Sequence, residues 1–161
     1  MNAKMNRPAR AVADVTRGML LATIDIATTP ERVFRAVTSD ELTRWWGSDD
    51  TYRTTRWTGD VRVGGTWRTD GVNRDGKEFS VHGEFLEVEP PRKLVQTWQY
   101  DWDSSGSITT ITWHFEAIEG GTRVVVRHEG FGHAQAACAN HADGWERVLT
   151  WLSENDFGSE P

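Results

Sequence analysis

The chain has 161 residues, of which 37% are apolar and 26% charged, with a formal charge of −6. These values fit one globular domain with one sizeable core and exclude a disordered chain. The acidic balance argues against nucleic acid as a partner, and no run of about 18 apolar residues is present to span a membrane.

Lys4, Arg7 and Arg10 lead into mixed polar sequence and not into the apolar centre of a signal peptide. Residues 1–17 read as a loose basic arm ahead of a domain at 18–156, with a short tail at 157–161. Met19 to Ala27 alternates, with Ala22, Ile24 and Ile26 on one face, as a half-buried strand does. Thr28 and Glu31 have capping-box spacing, and Pro30 suits a first helical turn. Val33, Phe34 and Val37 supply a short apolar stripe. Thr38 to Glu41 is a second helix start, followed by Leu42, Trp45 and Trp46. Two short helices in tandem are expected, ending near Gly47.

From residue 51 to 129 the pattern is strand and turn. Strands are expected at 51–57, 66–71, 79–88, 93–100, 108–118 and 122–129. Arg74-Asp75-Gly76-Lys77 is a strong hairpin signal, because Asp-Gly supplies positive φ. Asp103-Ser104-Ser105-Gly106 reads as a loop and Glu119-Gly120-Gly121 as a tight turn. Leu94, Trp98 and Tyr100 share one face. So do Ile111, Trp113 and Phe115, and so do Val124, Val126 and His128. Consecutive hairpins with short loops make an antiparallel meander. Cys138, His141, Trp145, Val148, Leu149 and Leu152 then recur at helical spacing, which predicts a long helix over about 134–154. Its apolar face needs a partner, and the concave side of the sheet is the large apolar surface left to cover it. The fold class is therefore α+β.

The order of elements, together with a series of short motifs, resembles the helix-grip fold of the START and birch-pollen-allergen superfamily. Within it the chain resembles the activator of heat-shock protein 90 ATPase homologue-like family. The motifs are Thr29-Pro30-Glu31-Arg32-Val33-Phe34, Leu42-Thr43-Arg44-Trp45-Trp46, Val63-Gly64-Gly65-Thr66-Trp67-Arg68 and Gly83-Glu84-Phe85-Leu86-Glu87-Val88-Glu89-Pro90. Arg92-Lys93-Leu94-Val95-Gln96-Thr97-Trp98, Gly121-Thr122 and Gly144-Trp145 complete the series. They cover about residues 20–155. The resemblance implies a curved sheet of about six or seven strands wrapped around the C-terminal helix, with two short helices after the first strand. It also implies a ligand cavity between helix and sheet. In the sequence itself, Gly64-Gly65 suits a bulge or bend where the sheet curls, and Gly83 a bend over the helix. Gly144, which costs about 1 kcal/mol against alanine in a helix interior, suggests close packing to a strand or to Trp98.

Nine tryptophans are present, so either the core is very bulky or a cavity is lined by aromatic rings. Candidates for a ligand-binding lining are Trp45, Trp46, Trp57, Trp67, Glu84, Trp98, Trp113, His128, His141 and Trp145. Strand alternation favours Trp98, Trp113 and His128 most directly. Trp45 and Trp46 cannot both face inward, because neighbours on a helix diverge by about 100°. The expected ligand is a small apolar or aromatic molecule. Glu84 or His128 beside these rings could also move a proton, which gives a second reading: an enzyme of the cyclase or dehydratase type. A third reading, from the resemblance, is an interaction protein with a chaperone as partner. An edge strand or surface tryptophan would support a homodimer.

His128, His133, Cys138, His141 and Asp143 lie close in sequence, and Cys138 and His141 stand at i, i+3. Their spacing matches no zinc template, and Cys138 lies in a helix interior and not at an electropositive helix start. No catalytic residue, metal or other cofactor is therefore assigned. The single cysteine rules out an internal disulfide and suits a reducing, cytoplasmic setting.

Overall fold

The computed structural model describes residues 8–102 and 107–158. The loop expected at 103–106, residues 1–7 of the N-terminal arm and residues 159–161 of the tail lie outside them.

The strands are β1 (Arg10–Asp14), β2 (Met19–Ile26), β3 (Tyr52–Gly59), β4 (Thr66–Asn73), β5 (Glu78–Glu89), β6 (Lys93–Tyr100), β7 (Thr109–Ile118) and β8 (Gly121–Glu129). The helices are α1 (Pro30–Val37), α2 (Leu42–Trp45) and α3 (Gln135–Glu154). The strands form one antiparallel sheet in the order β1-β2-β8-β7-β6-β5-β4-β3. After β2 the chain crosses through α1 and α2 to the opposite edge, where β3 begins a run of neighbouring hairpins.

The sheet has eight strands, not the six or seven expected. The additional one is β1, inside the segment read as an arm. It pairs with β2 from Arg10↔Thr23 to Asp14↔Met19. The Ala11 amide also donates to Glu146 Oε2 of α3, at 2.9 Å. Strand formation here rests on partners far along the chain, and the local sequence gives only a short, half-exposed alternation.

The core lies between the concave face of the sheet and α3. Leu20, Ala22, Ile24, Ile26, Ile111, Phe115, Val124 and Val126 meet Cys138, Trp145, Val148, Leu149 and Leu152 there. The alternation of β2, β7 and β8 puts every second side chain into this layer. Helix α1 begins one residue later than the capping box implied: Thr29 is the N-cap, and its hydroxyl accepts from the Arg32 amide at 3.2 Å. Pro30 fixes this choice, because it occupies the first helical position.

Glu41, read as part of a helix start, is buried instead. Arg32 grips it with two bonds of 2.9 Å, and Asn155 Nδ2 donates to the same carboxylate. Arg32 Nε also donates to the carbonyl of Phe157. This buried pair fastens both short helices to the end of α3. Burial works to raise the Glu41 pKa, but the bonds from Arg32 and Asn155 outweigh it and hold the carboxyl below its usual range.

Candidate functional site

Where α3 leaves the middle of the sheet, β3 to β6 curl away from it. A cavity of about 690 Å³ opens between them, closed on one side by α2 and its flanks. Seven of the nine tryptophans line it: Trp46, Trp57, Trp67, Trp98, Trp102, Trp113 and Trp145. The rings of Trp46, Trp67, Trp98, Trp113 and Trp145 form a continuous wall. Trp98 stacks on Trp46 at 6.0 Å and tilts against Trp67 at 5.1 Å, while Trp145 meets Trp46 and Trp113 edge-on at 5.8 and 5.3 Å.

Most of these rings are held by their own N–H groups. Trp46 donates to the Tyr52 hydroxyl (3.0 Å), Trp67 to the Thr97 carbonyl (3.2 Å), Trp113 to Gln96 Oε1 (3.1 Å) and Trp145 to His128 Nδ1 (3.0 Å). Gly83 makes the Trp67 bond possible. A Cβ there would lie 2.0 Å from the Thr97 carbonyl oxygen and 2.7 Å from Trp67 Nε1. The glycine serves close approach of the indole to the neighbouring strand.

His128 is 1% exposed. Its Nδ1 accepts from Trp145, so the proton sits on Nε2, which donates to Thr109 Oγ1 at 2.7 Å. Both nitrogens are occupied, and burial together with the neighbouring His141 pushes the pKa well below the ordinary histidine value. His141 has the opposite tautomer. Its Nδ1 donates to the Ala137 carbonyl at 2.7 Å, and its Nε2 accepts from the Tyr100 hydroxyl at 2.5 Å. Burial lowers the His141 pKa, against the pull of the Ala137 bond. Burial also raises the pKa of Tyr52 and lifts that of Tyr100 to about 12. The titratable groups inside the cavity are therefore neutral near pH 7. Charges stand at the mouth, on Lys77, Glu78, Asp101 and Arg147, beside Trp102, which is 59% exposed.

Eight of the ten sequence candidates line this cavity: Trp46, Trp57, Trp67, Trp98, Trp113, His128, His141 and Trp145. Trp45 does not. It is buried in the core, with its N–H on the Ala36 carbonyl, while Trp46, just past the end of α2, lies beside it at 5.2 Å and lines the cavity. Glu84 sits exposed on the opposite face of β5 from Phe85, away from the cavity. Cys138 turns its thiol to the Met19 carbonyl of β2 (3.4 Å), while His141 faces Tyr100, so the two do not converge. Gly144 is not tightly packed. A Cβ there would meet only the end of Arg147, at 4.0 Å, and the residue borders the cavity. Sequence reasoning missed Tyr52, Phe79, Gln96 and Tyr100. The last two share the inward face of β6 with Leu94 and Trp98, so alternation alone carried that signal.

A family model described as "Activator of Hsp90 ATPase homolog 1-like protein" matches residues 27–155. No curated protein matches the chain. Among solved structures, it is similar to a Rhodobacter sphaeroides protein (TM-score 0.76, 23% identity, covering 91% of this chain and 96% of that one). A Mycobacterium smegmatis protein has the same TM-score and coverage at 18% identity. An activator-of-Hsp90-ATPase-like protein of Aeromonas hydrophila gives a TM-score of 0.66 at 23% identity, covering 83% of this chain and 90% of that one. At these identities the likeness concerns the fold.

Proposed function

The chain belongs to the activator of Hsp90 ATPase homolog 1-like family, and from that premise we propose that it binds a small apolar or aromatic molecule between the sheet and α3. The observation that carries this reading is the cavity of about 690 Å³ walled by seven tryptophans, most of whose N–H groups are tied back into the protein. Such a wall offers ring faces and edges to a guest. Apolar pockets with few polar groups are the usual form of small-ligand sites, and this one matches a molecule of several fused or linked rings.

The acid–base reading gains nothing from the two residues that suggested it, since Glu84 points away and both His128 nitrogens are engaged. The chaperone reading rests on the family's name.

Thermal unfolding against a panel of apolar and aromatic compounds, followed by tryptophan fluorescence, tests the proposal. A ligand that binds only the folded state raises its midpoint. Shifts of several degrees with quenching are expected for some compounds. No shift from any of them would overturn the reading.

A further inference from the structure

One hydrogen-bond donor that lines the cavity has no partner among the described residues. Gln96 is 7% exposed, and its Oε1 is taken by the Trp113 N–H. That bond fixes the amide orientation, so the Gln96 NH₂ group faces the cavity, with no partner among the described residues. Trp98 stands two residues along the same strand, on the same face. Its indole N–H lies beside the Tyr100 oxygen, outside hydrogen-bond geometry, and is shut off from the cavity, so a guest does not reach it. Buried donors are rarely left unpaired in folded proteins, and each unpaired one calls for an explanation.

Resting on the ligand reading above, we infer that the guest carries a neutral hydrogen-bond acceptor, a carbonyl oxygen on a ring system, received by the Gln96 amide. The requirement for an acceptor follows from chemistry. An amide NH₂ only donates, whereas the Thr54 and Thr69 hydroxyls of the lining do either and so do not discriminate. The requirement for neutrality follows from charge. The cationic side chains of the lining, Lys77 and Arg147, are exposed at the mouth, and the interior histidines and tyrosines are neutral. A carboxylate beside Gln96 would be desolvated without a counter-charge, which is strongly unfavourable. An aromatic ketone, quinone or ester fits this environment.

Equilibrium dialysis with three compounds on one skeleton separates the alternatives: 9-fluorenone, fluorene and fluorene-9-carboxylate. Corrected for their transfer from water, fluorenone is expected to bind at least tenfold tighter than fluorene, with the carboxylate weakest. In Gln96→Met, which keeps the length of the side chain and deletes the donor, that preference is expected to shrink at least threefold. Gln96→Leu serves the same purpose if the first variant does not fold. Equal binding of fluorenone and fluorene, tighter binding of the carboxylate, or an undiminished preference in a folded variant would overturn the inference and leave the cavity reading standing. Binding of none of the three, alongside a silent compound panel, would overturn both.

Discussion

Acidification is expected to destabilise the protein through His128. The imidazole accepts from Trp145 on one side and donates to Thr109 on the other, at 3.0 and 2.7 Å, so an added proton on Nδ1 would face the Trp145 N–H. Its ring also meets Trp98, Phe131, Trp145 and the neutral His141. Nothing in that shell offers a counter-charge, and the folded pKa lies well below the ordinary value. Once the pH falls below about 6.5, the unfolded chain binds a proton that the folded chain refuses, so stability falls with pH. One such group gives a slope approaching 1.4 kcal/mol per pH unit, or about 2 kcal/mol between pH 7 and pH 5 while the folded imidazole stays neutral. His141, also lowered, adds to the wild-type slope, so the measurement must be a difference. Urea unfolding read by tryptophan fluorescence at pH 7, 6 and 5, for wild type and His128→Gln, supplies it. The variant's slope is expected to be shallower by nearly one proton. Coincident slopes would show that folded His128 takes up its proton normally, and the tautomer argument would fail.

Four further outcomes follow from particular positions. Gly144→Ala is expected to stabilise the fold by about 0.5–1 kcal/mol, because the helix gains a better former and the new Cβ meets nothing closer than 4.0 Å. Gly144→Leu should keep the fold yet weaken any ligand seen by thermal shift, since its side chain enters the cavity. Gly83→Ala should cost about 2–3 kcal/mol in urea unfolding, because its Cβ collides with the Thr97 carbonyl 2.0 Å away and with Trp67. Glu41→Gln removes the negative charge that faces the buried Arg32 guanidinium and should cost about 3 kcal/mol near pH 7. Because Glu41 is held below its usual value, wild type loses this contribution as pH falls through the folded pKa, so the gap between the two proteins should narrow in acid.

The sheet was legible where a strand buries one face and not the other. In β2, β7 and β8, alternation alone placed Ile24, Trp113 and Val126 inward, and all are buried. It failed at β1, whose five residues expose Val12 and half-bury small alanines, leaving no face to read. That strand exists because β2 has a free side and Glu146 offers an acceptor, and neither fact is local. At α1 the information was present but weighted wrongly: Pro30 at the first helical position decides the cap more firmly than the spacing of Thr28 to Glu31.

The cavity was legible as a list of residues but not as a volume. Nine tryptophans can fill a core or wall a space, and composition does not separate the two, because the outcome depends on where each N–H finds its acceptor. Trp45 reaches back to Ala36 and becomes core. Trp46, the next residue, reaches across to Tyr52 and becomes wall. Trp67 lies over its neighbouring strand only because Gly83 has no side chain. Gly144 keeps α3 clear of the space that these rings surround. The same accounting of donors isolates Gln96. A polar residue between Leu94 and Trp98 on an inward face breaks the apolar pattern of β6. Trp113 consumes the oxygen of its amide and leaves the nitrogen for something else. A leucine there would leave the Trp113 N–H without its acceptor, so the oxygen of Gln96 has a structural reason, and its NH₂ is the part that only the ligand proposal uses.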